Sequence, residues 1–181
     1  MKITQTNIPD VLIIEPQVFG DDRGFFYESF NQQKWQQGTG LERVFVQDNH
    51  SRSARGVLRG IHYQIEQPQG KLVRVVAGEV FDVAVDLRKK SPTFGDWVGQ
   101  CLSAENFKQL WIPEGFGHAF VVLSESAEVL YRTTDFWALE HERCIAWNDP
   151  ELNISWPIEF SPILSEKDGE GLLLKDAEIY E

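Results

Sequence analysis

Short runs rich in Val, Ile, Phe, Trp and Tyr return at close intervals along this chain, with Gly, Pro, Asn or Asp standing between them: VLIIEP, GFFYESF, RVFVQDN, GVLRGIHYQ, KLVRVVAGEVFDVAVDL, DWVGQCL, QLWIP, HAFVVL and AEVLYRTTDFW. β-branched and aromatic side chains fit a pleated, half-buried surface, so the repetition predicts an all-β sandwich or barrel. Helical periodicity is confined to one stretch, residues 31–37 (NQQKWQQ), which ends at Gly38 and Gly40. All 8 prolines fall at predicted turns or strand edges, where a missing N–H does little harm. With 181 residues and 42% hydrophobic content, the chain is expected to form one domain spanning residues 1–181.

Within the central run, VAGEVFDVAVDL reads as a hairpin turning at Gly78 and Glu79. Alternation places Phe81, Val83, Val85 and Leu87 on one face and Asp82, Ala84 and Asp86 on the other. His62 and Gln64 point one way in their strand, as do Lys71 and Val73 in theirs. If both faces of the sheet are covered, these polar groups are buried, and burying an unpaired charge costs several kcal/mol. A polar lining inside a barrel is expected to be a ligand site.

The net charge of -11 argues against nucleic acid and acidic membrane surfaces as partners, because both attract a broad excess of Lys and Arg. No run of about 18 uncharged apolar residues occurs, and the N-terminus does not read as a signal peptide, so a cytoplasmic protein is expected. Cys101 and Cys144 lack metal-ligand spacing and are expected to be reduced, structural thiols.

Two segments resemble the paired signatures of the cupin superfamily, a jelly roll of antiparallel strands. GVLRGIHYQIEQPQGKLVRVVAG carries His62 and Gln64 where metal-binding cupins have His-x-His, and PEGFGHAF has Pro113, Gly115 and His118 in the P-x-G-x-x-H spacing. Gln64 replaces a ligand histidine, and Lys71 brings a cation that would oppose a bound metal. The resemblance therefore implies an all-β cupin jelly roll, with a few short peripheral helices and no metal.

A closer resemblance covers residues 3 to 177. DDRGFFYESF, FVQDNHSRSARGVLRGIHYQ, QGKLVRVVAGEVFDVAVDLRKKSPTFGDWVG, LSAENFKQLWIPEGFGHAFVVLSE, YRTTDFW, WNDP and LSEKD together are similar to the dTDP-4-dehydrorhamnose 3,5-epimerase family. That resemblance implies a dTDP-linked 4-keto-6-deoxy sugar as substrate and no cofactor. Its C4 ketone acidifies the hydrogens on C3 and C5, so each inversion needs a base, an enolate stabiliser and an acid.

His62 suits the base, since imidazole titrates near neutrality, and the resemblance adds Asp168 as the carboxylate that orients it. Lys71 suits the enolate and Tyr131 the acid. Arg59 and Arg23 suit a diphosphate through bidentate hydrogen bonding. The resemblance further implies binding roles for Glu28, Gln47, Asn49, His118, Glu142 and Lys167. It puts Trp137 at the thymine-stacking position, with Phe136 and Trp137 standing where many members have two tyrosines. It also implies a homodimer joined through an exchanged N-terminal segment, in which Arg23 and Glu28 serve the neighbouring pocket.

Plainer readings stand beside these. A strand histidine is more often a satisfied core or surface group than a catalyst, and a strand tyrosine ordinarily packs its ring. DDRG also reads as a turn whose arginine pairs with a neighbouring aspartate. His50 and His141 are expected to be structural, and Trp35, Trp97, Trp111, Trp147 and Trp156 to be core or interface residues. Rival functions are an epimerase of C3 or C5 alone, a metal cupin using His62 and His118, and a noncatalytic sugar-nucleotide binding module.

Overall fold

The computed structural model describes residues 1–181. Its strands are β1 (Lys2–Gln5), β2 (Leu12–Glu15), β3 (Phe19–Asp21), β4 (Gly24–Phe26), β5 (Gln47–Ala54), β6 (Leu58–Gln64), β7 (Lys71–Ala77), β8 (Glu79–Asp86), β9 (Trp97–Ser103), β10 (Gln109–Ile112), β11 (Phe116–Val122), β12 (Ser126–Thr133) and β13 (Glu142–Cys144). Two short helices, α1 (Gln32–Thr39) and α2 (Glu166–Gly169), lie at the periphery. Every pairing between strands is antiparallel. One sheet runs β1-β2-β10-β7-β12-β5, a second runs β13-β6-β11-β8-β9, and β3 and β4 form a separate hairpin. The fold is thus the all-β jelly roll expected of a cupin.

The five-stranded sheet is covered on both faces, whereas the outer face of the six-stranded sheet is covered beside α1 and open along β5, whose Asp48, His50, Arg52 and Ala54 are exposed. Between the sheets, Val73 and Val75 from β7 and Leu110 and Ile112 from β10 meet Val80, Val98, Leu102 and Phe120 from the facing sheet. Val83 and Val85 of β8, and Leu87 just beyond it, point outward, where Ile145, Leu152 and Leu174 cover them. Trp35 on α1 and Trp111 on β10 cover part of the outer face of the other sheet, with ring centroids 5.1 Å apart. Removing each such side chain from water contributes roughly 1.5–3 kcal/mol.

The expected hairpin at Gly78 is not formed. β7 and β8 belong to different sheets, and Gly78 is where the chain crosses between them. Its φ of +72° and the 2.0 Å approach of a Cβ there to the Ser126 carbonyl explain the glycine, which reads the same in sequence whether the turn joins paired strands or changes layer. The face assignments survive, because Asp82 and Ala84 do point between the sheets. RVFVQDN also departs from expectation, since its strand begins only at Gln47.

Helix α1 starts one residue after the predicted boundary, with Asn31 accepting from the Lys34 amide. It ends at Gly40 in the left-handed region (φ 71°), which stops it where the glycines suggested. No helix is long and apolar enough to cross a membrane.

Candidate active site

One end of the space between the sheets is filled by the apolar core. The other opens into a cavity of about 380 Å³ whose lining includes Gln47, Asn49, Arg59, His62, Lys71, His118, Tyr131, Trp137, Glu142 and Lys167. Ten of the expected site residues are therefore gathered in one hollow, and Phe120 and Tyr131 mark its border with the core.

Strand β6 reaches this arrangement through a device the alternation argument missed. Against β11, His62 lies opposite His118 but Arg59 lies opposite Phe120, so β6 holds one extra residue. This bulge turns Arg59 and His62, three positions apart, to the same cavity. Gly60 permits it: its φ is +118°, and a Cβ there would stand 2.5 Å from the His118 carbonyl oxygen. A glycine inside an apolar strand is the sequence signal that could have revealed it.

Asp168 is not on the lining but stands behind His62, its Oδ1 2.6 Å from His62 Nε2. The contact is close, although the ring N–H is not aligned for a hydrogen bond. Ser165 caps α2 by accepting from the Asp168 amide, and its hydroxyl donates to Asp168 Oδ2 at 2.6 Å. The Gly60 amide donates to Oδ1 at 3.1 Å. Burial would raise the carboxyl, but His62, Ser165 and Gly60 outweigh it and hold Asp168 well below the usual carboxylate range. Burial pushes His62 down from 6.5, and Lys167 and Lys71 add to this, against the opposing pull of Asp168. The shift favours the neutral imidazole.

Lys71 is 8% exposed at the start of β7. Burial lowers its amine to about 8, while Asp82 and Glu142 resist the fall. Tyr131 on β12 is raised, first by burial, while Arg59 works in the other direction. His118 Nε2 lies 2.9 Å from Asp82 Oδ2, a second imidazole–carboxylate pair that the alternation of β8 foreshadowed without naming its partner. At the mouth, Lys167 Nζ meets Glu142 Oε1 at 2.9 Å. Arg59, Lys71 and Lys167 thus face the hollow against the single carboxylate of Glu142, so the cavity is cationic within an anionic chain.

Gln64 proves to be a clamp. Its Nε2 donates to the Gln67 and Phe136 carbonyls at 2.8 and 3.2 Å, and its Oε1 accepts from the Ala138 amide at 2.9 Å. Gln47 Oε1 accepts from the Trp137 amide at 3.1 Å. These two glutamines fix the backbone on either side of Trp137, whose indole stays 56% exposed at the rim as a flat apolar surface. A buried side-chain amide has several hydrogen-bonding valences to satisfy, and that requirement was the available clue.

Arg23 and Glu28 are not brought to this cavity within the chain. Arg23 pairs with Asp21 in the β3–β4 turn, and Glu28 pairs with Lys34 beside α1. The hairpin beside them leaves Phe19, Phe25 and Phe26 exposed at 57%, 64% and 69%.

The family profile described as dTDP-4-dehydrorhamnose 3,5-epimerase matches residues 5–176. A protein of that name from Pseudomonas aeruginosa is 67% identical over 180 residues, covering 99% of each chain. The crystal structure of dTDP-6-deoxy-D-glucose-3,5-epimerase from Legionella pneumophila, in complex with dTDP-4-keto-L-rhamnose, superposes with a TM-score of 0.96 at 53% identity, covering 98% of this chain and 94% of that one. A 3'-monoepimerase from Streptomyces bikiniensis in complex with dTDP-quinovose gives a TM-score of 0.89 at 34% identity, covering 94% and 87%.

Proposed function

The chain belongs to the dTDP-4-dehydrorhamnose 3,5-epimerase family, and from that premise we propose that the cavity between its sheets holds a dTDP-linked 4-keto-6-deoxy sugar with the pyranose ring between His62 and Tyr131. One observation carries this reading: His62 stands on β6 of one sheet and Tyr131 on β12 of the facing sheet, both lining the same hollow. Inversion at carbon requires a proton to leave from one face and return to the other. A base and an acid on opposed sheets supply those two faces.

The steps follow from the groups present. Neutral His62, oriented by Asp168, takes the proton from C3 or C5 with the ring nitrogen turned away from the carboxylate. The electron pair moves into the C4 carbonyl, and the charged form of Lys71 stabilises the enolate oxygen that develops. Tyr131 donates its phenolic proton to the opposite face; the His62 imidazolium then gives its proton to solvent and the Tyr131 phenolate regains one, which resets both groups. The same groups serve both carbons because each lies next to C4. Arg59 and Lys167 bring positive charge for the diphosphate, and Trp137 offers its indole face to the thymine. His118, Gln47, Asn49 and Glu142 contact the nucleotide or sugar from the lining. The chemistry asks for no redox cofactor.

The working unit is a homodimer in which the N-terminal hairpin crosses to a second chain, covers Phe19, Phe25 and Phe26, and delivers Arg23 and Glu28 to the neighbouring cavity. Their absence from the lining of their own chain's cavity and the exposed aromatic face support this. A cytoplasmic location fits a substrate built on a nucleoside diphosphate.

Incubation of the ketosugar with the protein in deuterated water tests the reaction. Deuterium at both C3 and C5, with the L-rhamno configuration in the product, is expected. Label confined to one carbon would assign the chain to single-centre chemistry, such as that named for the Streptomyces bikiniensis neighbour.

A further inference from the structure

Strand β13 sets Cys144 directly opposite His62 in the ladder with β6. The ligand-capable atoms of His62, Cys144 and Asp168 all lie within 4.8 Å of one another. The edges of a tetrahedral zinc site built from nitrogen, sulfur and oxygen are roughly 3.3–3.6 Å, so small side-chain rotations bring these atoms to ligating distances. We propose that His62, Cys144 and Asp168 form an inhibitory site for a thiophilic divalent transition metal, of which zinc is the type, that shuts the enzyme by holding His62 through Nε2, the nitrogen facing Asp168, and so leaving the ring proton on the nitrogen that would act as the base.

The donor set is imidazole, thiolate and carboxylate, three ligands that leave a fourth position for water. It shares His62 with the cupin signature but uses Cys144 and Asp168 in place of Gln64 and His118, and Gln64 is committed to holding the loop around Trp137. Two of the three ligands are anionic when bound, which offsets the repulsion from Lys71 and Lys167. Ordinarily Cys144 keeps its proton, because burial pushes the thiol up to about 12. Metal entry forms the metal–sulfur bond and releases that proton to water, a displacement for which the ion supplies the driving force. Cys144 faces a hollow that it lines together with Glu142 and Lys167, so this ligand is reached from outside. Asp168 is already fixed by Ser165 and the Gly60 amide, so one ligand is preorganised.

The inhibitory consequence rests on His62 acting as the base, but occupation of the site does not. Titration with cobalt(II) reads occupation alone. The wild type and Cys101→Ala are expected to develop a thiolate-to-cobalt charge-transfer band at one equivalent, and Cys144→Ala and Cys144→Ser to lack it. Zinc at micromolar concentration is expected to inhibit the wild type, with recovery on addition of a chelator. Either Cys144 variant should turn over within about twofold of wild type and need at least tenfold more zinc. Absence of the band in the wild type, or equal zinc sensitivity in the Cys144 variants, would overturn the proposal. A band without inhibition would keep the metal site and refute its inhibitory role.

Discussion

The two walls of the cavity differ in kind. The five-stranded sheet presents His62 and His118, each imidazole backed by a carboxylate, Asp168 at 2.6 Å and Asp82 at 2.9 Å. The six-stranded sheet presents Lys71 and Tyr131, polar hydrogens with no carboxylate in ion-pair contact behind them, beside Gln47 and Asn49. In the mechanism proposed above, the first wall accepts a proton through His62 and the second donates one through Tyr131. An enzyme that merely bound a sugar would have no need to segregate its groups by sheet, whereas one that inverts a carbon centre does.

The largest effect expected from breaking this division is on the accepting wall. His62→Ala should lower turnover by roughly a thousandfold or more while leaving dTDP affinity within a few-fold, because only proton transfer is removed. Calorimetric titration with dTDP beside a kcat measurement checks it. Retained turnover would place the base elsewhere.

On the donating wall, Lys71→Met should cost on the order of 10² to 10³ in kcat. In the wild type, kcat/KM should fall above pH 8 as the ammonium is lost, and the acid limb should lie below 6.5 because His62 is lowered. Stability should move oppositely to activity. Folding depresses Lys71 from 10.5 to about 8, so the folded chain is penalised fully below pH 8 and progressively less as pH rises to 10.5. Lys71→Met is therefore expected to melt a few degrees higher than wild type at pH 7, the advantage fading by pH 10.

A smaller effect tests whether a third wall comes from a second chain. Arg23→Ala should raise KM about tenfold with kcat little changed. Mixing it with His62→Ala should restore one intact site per mixed dimer, seen as recovered activity at low substrate. No recovery, with mixed dimers verified, would return Arg23 to the turn with Asp21.

Much of this division was legible in the residues. Alternation in β8 grouped Asp82 with Ala84 on the face opposite Val83 and Val85, and the strand runs placed His62, Lys71 and Tyr131 on β-strands. Other features were not. The crossing at Gly78 looks like a hairpin because a glycine at positive φ serves both, and only the sheet pairing decides between them. Arg59 and His62 share a face through the bulge at Gly60, which strict alternation forbids. Asp168 lies on a four-residue helix far along the chain, and no periodicity ties it to His62. In the sequence only the family resemblance joins it to His62. Gln64 was read as a vacant ligand position, whereas its amide is fully employed in holding the loop around Trp137.

Tyr131→Phe in deuterated water tests the opposed walls most directly. With the acid gone but the base in place, proton removal and return from the His62 face should continue. Deuterium should therefore enter C3 and C5 of recovered substrate with its configuration retained, while inverted product falls by at least a hundredfold. Inversion at an undiminished rate, or loss of exchange along with inversion, would contradict a base and an acid held on facing sheets.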